Sequence, residues 1–481
     1  MLEVPMTQSM ALPGKTLTRQ IAFLPLVGLI FFSTSGGPYG LEPLMATSGP
    51  GMGLFLLLLV PIIYGIPLAA ITTELATSIP EDGGQYVWAK RGLGSFWGFQ
   101  AGLLRWINSW VDMAIYPVLF ASYLAILFPA ATKGENTLLR IGSIGIDLHW
   151  LVGVVCVIVP LCLLNIRGAR SVGDSTILFF ILSIVPIVIM TVLGLFKLTA
   201  DSTNPFSPFV IEGSTPLAAF GVGLAVVMWS YCGFDSIGPI AGEIKDPKRN
   251  IPKAMMVAMI IIIASYMLPL MAAMAVGGWE SWEEGSFGDI AGALGGPALR
   301  VLVVVGGMFS VLGMYSSLLM SSSRTVYVLA QEHWAPASLG RTCRRRGTPV
   351  VAIVVSSLIY AVFSVNAFEE LVVVDVFLIN FLALLQLAAL IALRIREPRL
   401  DRPAKIPGGW FGLALLGVPF VSSTLFLVYS QLVADDGSFA LWLFAIVITL
   451  STLAYIPLRI RRNKALAAFP AAHVDESRVD D

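Results

Sequence analysis

Ser33-Thr34-Ser35-Gly36-Gly37-Pro38-Tyr39-Gly40 interrupts an apolar run that begins near residue 20, and Trp229-Ser230-Tyr231-Cys232-Gly233-Phe234-Asp235-Ser236, followed by Gly238-Pro239, interrupts another. A helix in lipid keeps every backbone N–H and C=O bonded within itself, because hydrocarbon offers no partner. Both stretches work against that: proline removes a donor, and glycine lowers the cost of leaving the helical conformation. For either helix alone, a kink absorbed by packing is an adequate account. Two breaks in the first and sixth apolar runs are a different matter. They occupy equivalent places if spans 1–5 and 6–10 form an inverted repeat, and paired breaks of this kind point to a solute site near the bilayer midplane. Freed N–H groups at a half-helix start suit a carboxylate, while freed carbonyls suit a cation or an amine.

Composition makes these runs membrane spans. Hydrophobic residues are 57% of the chain and charged residues only 12%, against about 25% charged in soluble proteins. The apolar runs are about 20 residues long, enough to cross hydrocarbon at 1.5 Å per residue. They sit at roughly 20–47, 51–78, 95–129, 149–166, 172–198, 216–242, 254–277, 297–330, 349–365, 370–394, 410–433 and 438–460. The expectation is an all-α integral membrane protein of about twelve spans. Its parts are a tail (1–19), a ten-span core (20–400), spans 11 and 12 (401–462) and a second tail (463–481).

Charge orients it. Alternate loops carry Arg19, Lys90/Arg91, Arg167/Arg170, Lys245/Lys248/Arg249/Lys253, Arg341 with Arg344 to Arg346, Arg394 to Lys405 and Arg459 to Lys464, besides Lys15 in the first tail. The opposite loops keep little beyond Lys133, Arg140, Lys197 and Arg300, and hold acids such as Glu280, Glu283, Glu284, Asp289, Asp435 and Asp436. That positive-inside pattern predicts cytoplasmic termini. The N-terminus shows no cleavable signal pattern. A net charge of zero argues for no acidic or basic partner, nucleic acid included. Cys156, Cys162, Cys232 and Cys343 have no C-x-x-C spacing, and His149, His333 and His473 form no cluster. Neither a disulfide framework, a metal site nor a histidine reaction centre is expected.

An ionisable residue inside a span costs at least ~2.5–3.5 kcal/mol, so each needs a reason. Asp112 lies near the middle of span 3, Asp235 at the second break, Glu42 after the first break, and Asp375 about two turns into span 10. Asp112 and Asp235 read as functional, because no Lys or Arg stands at matching depth; Arg105 is the one possible partner, and its place nearer the cytoplasmic end of span 3 reads as snorkelling inward. Glu42 and Asp375 are open between function and contact with outer water. Glu74 and Glu243, near inner helix ends, read as ion-pair or cap residues. Trp229, directly before the second break, is the aromatic singled out as a gate or cation–π face. Ser321-Ser322-Ser323 in span 8 offers hydroxyls for sodium or for helix packing.

With these residues assembled, the chain resembles the amino acid–polyamine–organocation superfamily. The likeness rests on Thr73-Glu74-Leu75-Ala76 with Pro80-Glu81-Asp82-Gly83-Gly84-Gln85-Tyr86, and on Gly233-Phe234-Asp235 with Ala241-Gly242-Glu243-Ile244-Lys245-Asp246-Pro247 and Asn250-Ile251-Pro252-Lys253-Ala254. Within it, Ser35 to Glu42, Phe96-Trp97-Gly98-Phe99-Gln100, Asp112 with Tyr116-Pro117-Val118-Leu119-Phe120, Asn165-Ile166-Arg167-Gly168 and Gly347-Thr348-Pro349 look most like the polyamine-uptake and L-type amino acid branch. The resemblance implies a LeuT-type 5+5 inverted repeat with spans 1 and 6 broken. It also implies that Ser35, Gly36 and Gly37 meet a substrate carboxyl end, that Trp229 gates, that Ser230 and Gly233 line the break, and that Asp235 holds the polar position after it. Some proton-coupled relatives place a lysine in span 5; here the span has none before Lys197. Proton coupling would then fall to Asp112, Asp235 or Glu42, with sodium as the other ion. The expected activity is alternating-access uptake of a polyamine or amino acid across the plasma membrane, without cofactor or metal. An amino acid exchanger is the alternative, and a nutrient receptor on the same fold a third.

Overall fold

The computed structural model describes residues 19–132, 136–141, 144–200, 204–343, 346–365, 369–433 and 437–467. Lys15, Lys133, Arg344, Arg345, Asp435, Asp436 and His473, and most of both expected tails, lie outside the described residues. Among the described residues ten helices are long and apolar enough to cross a membrane. They are Pro50–Ser78 (span 2), Ser95–Leu127 (span 3), Leu148–Arg167 (span 4), Ala169–Thr199 (span 5), Pro216–Glu243 (span 6), Pro247–Ala273 (span 7), Ser286–Gln331 (span 8), Asp375–Arg396 (span 10), Gly409–Ser430 (span 11) and Leu441–Ala467 (span 12). Shorter apolar helices stand at the two remaining places, Phe23–Thr34 in span 1 and Val350–Phe363 in span 9.

Span 1 is short because it stops at the break: its helix ends at Thr34 and restarts at Pro43–Ser48. Span 6 runs as α-helix over Pro216–Ser230 and resumes as 3₁₀-helix over Phe234–Glu243. Two local features differ from the sequence reading. An antiparallel hairpin pairs Thr137–Ile141 with Ile144–Asp147 between spans 3 and 4. A separate helix from Ser286 also precedes span 8: the chain leaves helical geometry at Gly296 (φ 78°), and the span itself starts at Pro297, where its apolar run begins.

Span 8 forms the spine, packing along spans 5 and 3, while spans 11 and 12 pack on spans 2, 3 and 10. Apolar side chains on the periphery are exposed, among them Phe196, Leu217, Phe411 and Trp442. In a bilayer that surface meets lipid rather than water, so the exposure carries no penalty. Polar residues inside the helices bond their own backbone, as Thr73 does to the Ala69 carbonyl (2.6 Å) and Thr191 to Ile187 (2.7 Å). This spares each hydroxyl a partnerless burial.

Ion pairs tie the even-numbered span ends together. Glu332, after span 8, accepts from Lys90, after span 2 (2.7 Å), and from Arg462 in span 12 (3.2 Å). Arg91 forks onto Glu397 (2.8 and 2.6 Å), and Lys248 meets Asp401 (2.7 Å). All these ends therefore lie on one face of the bundle, called here the basic end. Spans 1 and 6 are also joined there: Gln20 and Ile21 N–H donate to the Glu243 carbonyl (2.8 and 3.0 Å), and Lys245 N–H to Ile21 (2.9 Å). Glu243 in turn accepts from the fully buried Arg324 (2.7 Å). Glu74 is equally buried, held by Arg394, by Arg402 (3.5 Å) and by the Ile406 N–H (2.7 Å). Both acids are thus ion-pair residues, as their places near helix ends suggested.

Removing one partner of such a pair leaves an uncompensated buried charge, at a cost of ~3–5 kcal/mol. Arg394→Met should therefore lower the melting temperature of the detergent-purified protein more than Arg394→Met combined with Glu74→Gln. Equal melting of the single and double variants would contradict that account. A second effect is set by pH. Burial and the nearby Glu243 push the Asp82 carboxyl from its ordinary 3.8 to about 7, against the pull of Arg324 and the Gly242 N–H. A raised carboxyl favours the folded state when protonated, so that contribution is present below 3.8 and lost as pH rises through about 7. Asp82→Asn is expected to flatten the melting curve against pH over that window.

Candidate functional site

The first break opens at Ser35 (φ −128°, ψ −56°) and turns through Gly36 (φ 68°), Gly37 (φ 103°) and Gly40 (φ 86°). These three lie in the left-handed region, which side chains with a Cβ adopt only at a cost. Its backbone groups find partners nearby. Gly37 N–H donates to Ser35 Oγ (3.0 Å), and Ser310 Oγ donates to the Gly36 carbonyl (2.5 Å). Gly40 N–H donates to Glu42 Oε2 (2.7 Å), while Glu42 Oε1 accepts from Gly285 (3.2 Å) and Phe287 (3.3 Å) N–H. Glu42 has no exposed surface. Of the two readings left open for it, contact with outer water is not the one seen here, since freed amides of two chain segments occupy both its oxygens.

The second break runs from Tyr231 to Gly233 (φ 97°). Tyr266 Oη donates to the Ser230 carbonyl (2.7 Å), and Cys232 N–H to Trp229 (3.1 Å). A Cβ on Gly233 would run into the Ser33 carbonyl oxygen, so the two breaks pass in direct contact. Only glycine allows that approach at that φ.

Between the breaks lies a narrow, partly open cavity of about 70 Å³. Ser35, Gly37, Asp112, Trp229, Ser230 and Gly233 line it, together with Tyr39, Arg105, Tyr116, Ser236 and Tyr266, and the lining continues to Leu41 and Glu284. Gly36 is turned away, its Cβ position filled by Met314 and Ser310. Asp235 also stands outside the lining. Its carboxylate accepts from Gln85 Nε2 (2.6 Å) and pairs with Arg105 (3.5 Å), whose Nη2 donates to Ser236 Oγ (2.6 Å). The reading of Asp235 as unpaired and Arg105 as snorkelling is therefore wrong. Arg105 is buried and points to the second break. Asp112 faces the cavity and accepts from Tyr116 Oη, one turn along the same helix (2.9 Å).

Arg105, Asn108, Asp112, Ile115, Tyr116 and Leu119 recur every three or four residues, which puts them on one face of span 3. That periodicity was a usable signal for Arg105 and Asn108. Gln85 and Tyr266 carried none, since they arrive from a loop-adjacent helix and from span 7. The hydroxyls of Ser321, Ser322 and Ser323 are engaged: Ser321 on the Ser236 carbonyl (2.7 Å), Ser322 with Tyr360 (2.9 Å), Ser323 on Met320 (3.0 Å).

Comparison with known proteins fits this geometry. The family model described as amino acid permease matches residues 24–451. The polyamine transporter PUT1 of Oryza sativa subsp. japonica is 33% identical over 409 residues, 85% of this chain and 73% of its own. The polyamine transporter RMV1 of Arabidopsis thaliana is 30% identical over 411 residues, covering 85% and 80%. The serine/threonine exchanger SteT of Bacillus subtilis (strain 168) is 24% identical over 434 residues, covering 88% and 93%. The crystal structure of MhsT in complex with L-phenylalanine matches with a TM-score of 0.64 at 14% identity, over 87% of this chain and 100% of that one. That likeness establishes the LeuT-type fold.

Gly233→Ala forces a Cβ into the Ser33 carbonyl and should reduce solute uptake by roughly tenfold or more, since each 1.4 kcal/mol of strain is a factor of ten. Gly277, also left-handed (φ 76°) but with open space around it, is the control: Gly277→Ala carries the dihedral strain without the clash and should lose less. Similar uptake in the two variants would remove the contact between the breaks from the argument.

Proposed function

The chain belongs to the amino acid permease family, and on that premise we propose that it is a proton-coupled uptake permease for polyamines. The observation that carries the substrate class is the charge around the second break. Asp112, Asp235 and Asp375 are set there against the single guanidinium of Arg105. With all three ionised, the site holds a formal surplus of two negative charges. In a low-dielectric interior such a surplus attracts a dication and repels a carboxylate. The first break supports the same reading, because the Gly37 and Gly40 amides are already taken by Ser35 and Glu42. PUT1 and RMV1 carry the name of polyamine transporters. Amino acid exchange is the second reading: Arg105 lines the cavity and offers a partner for a carboxylate, and SteT is named an exchanger.

In this mechanism no bond of the solute is made or broken. Solute and proton shift the balance between a state closed at the basic end and one open there. Asp112 meets the solute's ammonium in its ionised form, because it faces the cavity and has Tyr116 as its hydrogen-bond donor. The basic end faces the cytoplasm of a plasma-membrane protein, in keeping with the loop charges.

Reconstituted protein should accumulate labelled putrescine and spermidine faster when the outside is acidic. Asp112→Asn should cut that uptake by ~10–100-fold, the worth of a charge-assisted hydrogen bond of ~1.5–3 kcal/mol. Uptake indifferent to the pH gradient would sink proton coupling. Amino acid counterflow without polyamine uptake would establish the exchanger instead.

A further inference from the structure

Asp375 has not yet been given a task. It lies on span 10, one helical turn before Ile379, which lines the cavity. Its side chain is fully buried. Oδ1 accepts from Asn108 Nδ2 (2.5 Å), and the same amide reaches the Asp375 backbone carbonyl (3.4 Å). Oδ2 has no hydrogen-bond partner. Among the described residues no Lys, Arg or His comes within ion-pair distance of it; Arg105 is spent on Asp235 and Ser236. A carboxylate so placed is costly, and Oδ2 is an acceptor poorly supplied with donors. Asn108 sits on the face of span 3 that carries Arg105 and Asp112, and its Oδ1 is a second acceptor at this spot, shared only with Arg105 Nη1 at 3.5 Å. The Trp229 side chain reaches this carboxylate as a hydrogen-bond donor and also lines the cavity, so turning it aside exposes the acceptor.

We propose that Asp375 and Asn108 form a second amine subsite behind Trp229, which takes the far ammonium of a linear di- or triamine whose first ammonium pairs with Asp112. An ammonium brings three donors and no acceptor, which matches Asp375 Oδ2 and Asn108 Oδ1. The methylene chain between the two amines lies against Trp229 and Ile379, whose surfaces are apolar. Because Asp375 is closed off from the cavity, Trp229 turns aside when the far amine enters. A monoamine or a zwitterion reaches only the Asp112 subsite, so the second subsite selects by chain length and by the number of amines. This rests on the polyamine reading above.

The test is inhibition of labelled spermidine uptake in proteoliposomes by butylamine, putrescine and cadaverine. In the unaltered protein the diamines should inhibit at least about tenfold better than butylamine, the worth of one further charge-assisted hydrogen bond. Asp375→Asn, close to isosteric, should collapse that ratio toward one, whereas Asp112→Asn weakens all three amines. If Asp375→Asn is misfolded by thermal melting, Asn108→Ser provides the same readout and should reduce the ratio in part. A ratio held at the unaltered value in a folded variant overturns the subsite alone. Failure of the unaltered protein to take up either putrescine or spermidine overturns the polyamine reading and the subsite with it.

Discussion

Every backbone N–H and C=O that leaves a helix inside a bilayer must find another partner within the protein, and this requirement shapes the centre of the molecule. Two helices are interrupted at the same depth, and the groups set free are claimed one by one. Glu42 gathers three amides, Ser310 donates to Gly36, and Tyr266 donates to Ser230. A break is therefore an assembly of several spans rather than a property of one. It also brings the chains together: Gly233 rests on the Ser33 carbonyl because nothing larger than hydrogen fits between them.

The same accounting, applied to charge, separates two populations of buried acids. Near the basic end Glu74 and Glu243 are matched by arginines and by backbone donors, which locks the ends of spans 2, 6, 8 and 10 together. Around the second break the match is incomplete. Arg105 offsets one carboxylate of three, and Asp235 Oδ1 and Asp375 Oδ2 are buried without partners. Incomplete pairing would be a defect in a structural core. Beside a cavity bounded by unwound backbone it leaves room for a solute that supplies the missing donors.

Much of this was legible residue by residue. Stretches of about twenty apolar residues need no tertiary information to be read as spans, and Gly36-Gly37-Pro38 and Gly233 mark helix interruption through backbone chemistry alone. Ser35, Gly37, Asp112, Trp229, Ser230 and Gly233 do stand at the cavity. The failures share one cause. Asp235 looked unpaired because its partner, Arg105, is 130 residues away on a helix whose rotation the sequence does not reveal. Glu42 stayed open between two readings because Gly285 and Phe287, which cover it, come from the helix that precedes span 8. Hydropathy places a residue along the membrane normal but not around the helix axis.

What the linear sequence settled by itself was the solvent and the interruptions: hydrocarbon length, the alternation of charged ends, and the two places where helix could not continue. Those are local quantities, set by side-chain transfer energies and by the dihedral freedom of glycine and proline. Tertiary structure alone decided which acid faces the cavity, which is neutralised and which is left with an open oxygen. A carboxylate's state depends on donors a few ångströms away, and packing brings those donors from spans distant in the chain, as Gln85, Arg105 and Asn108 come to Asp235 and Asp375.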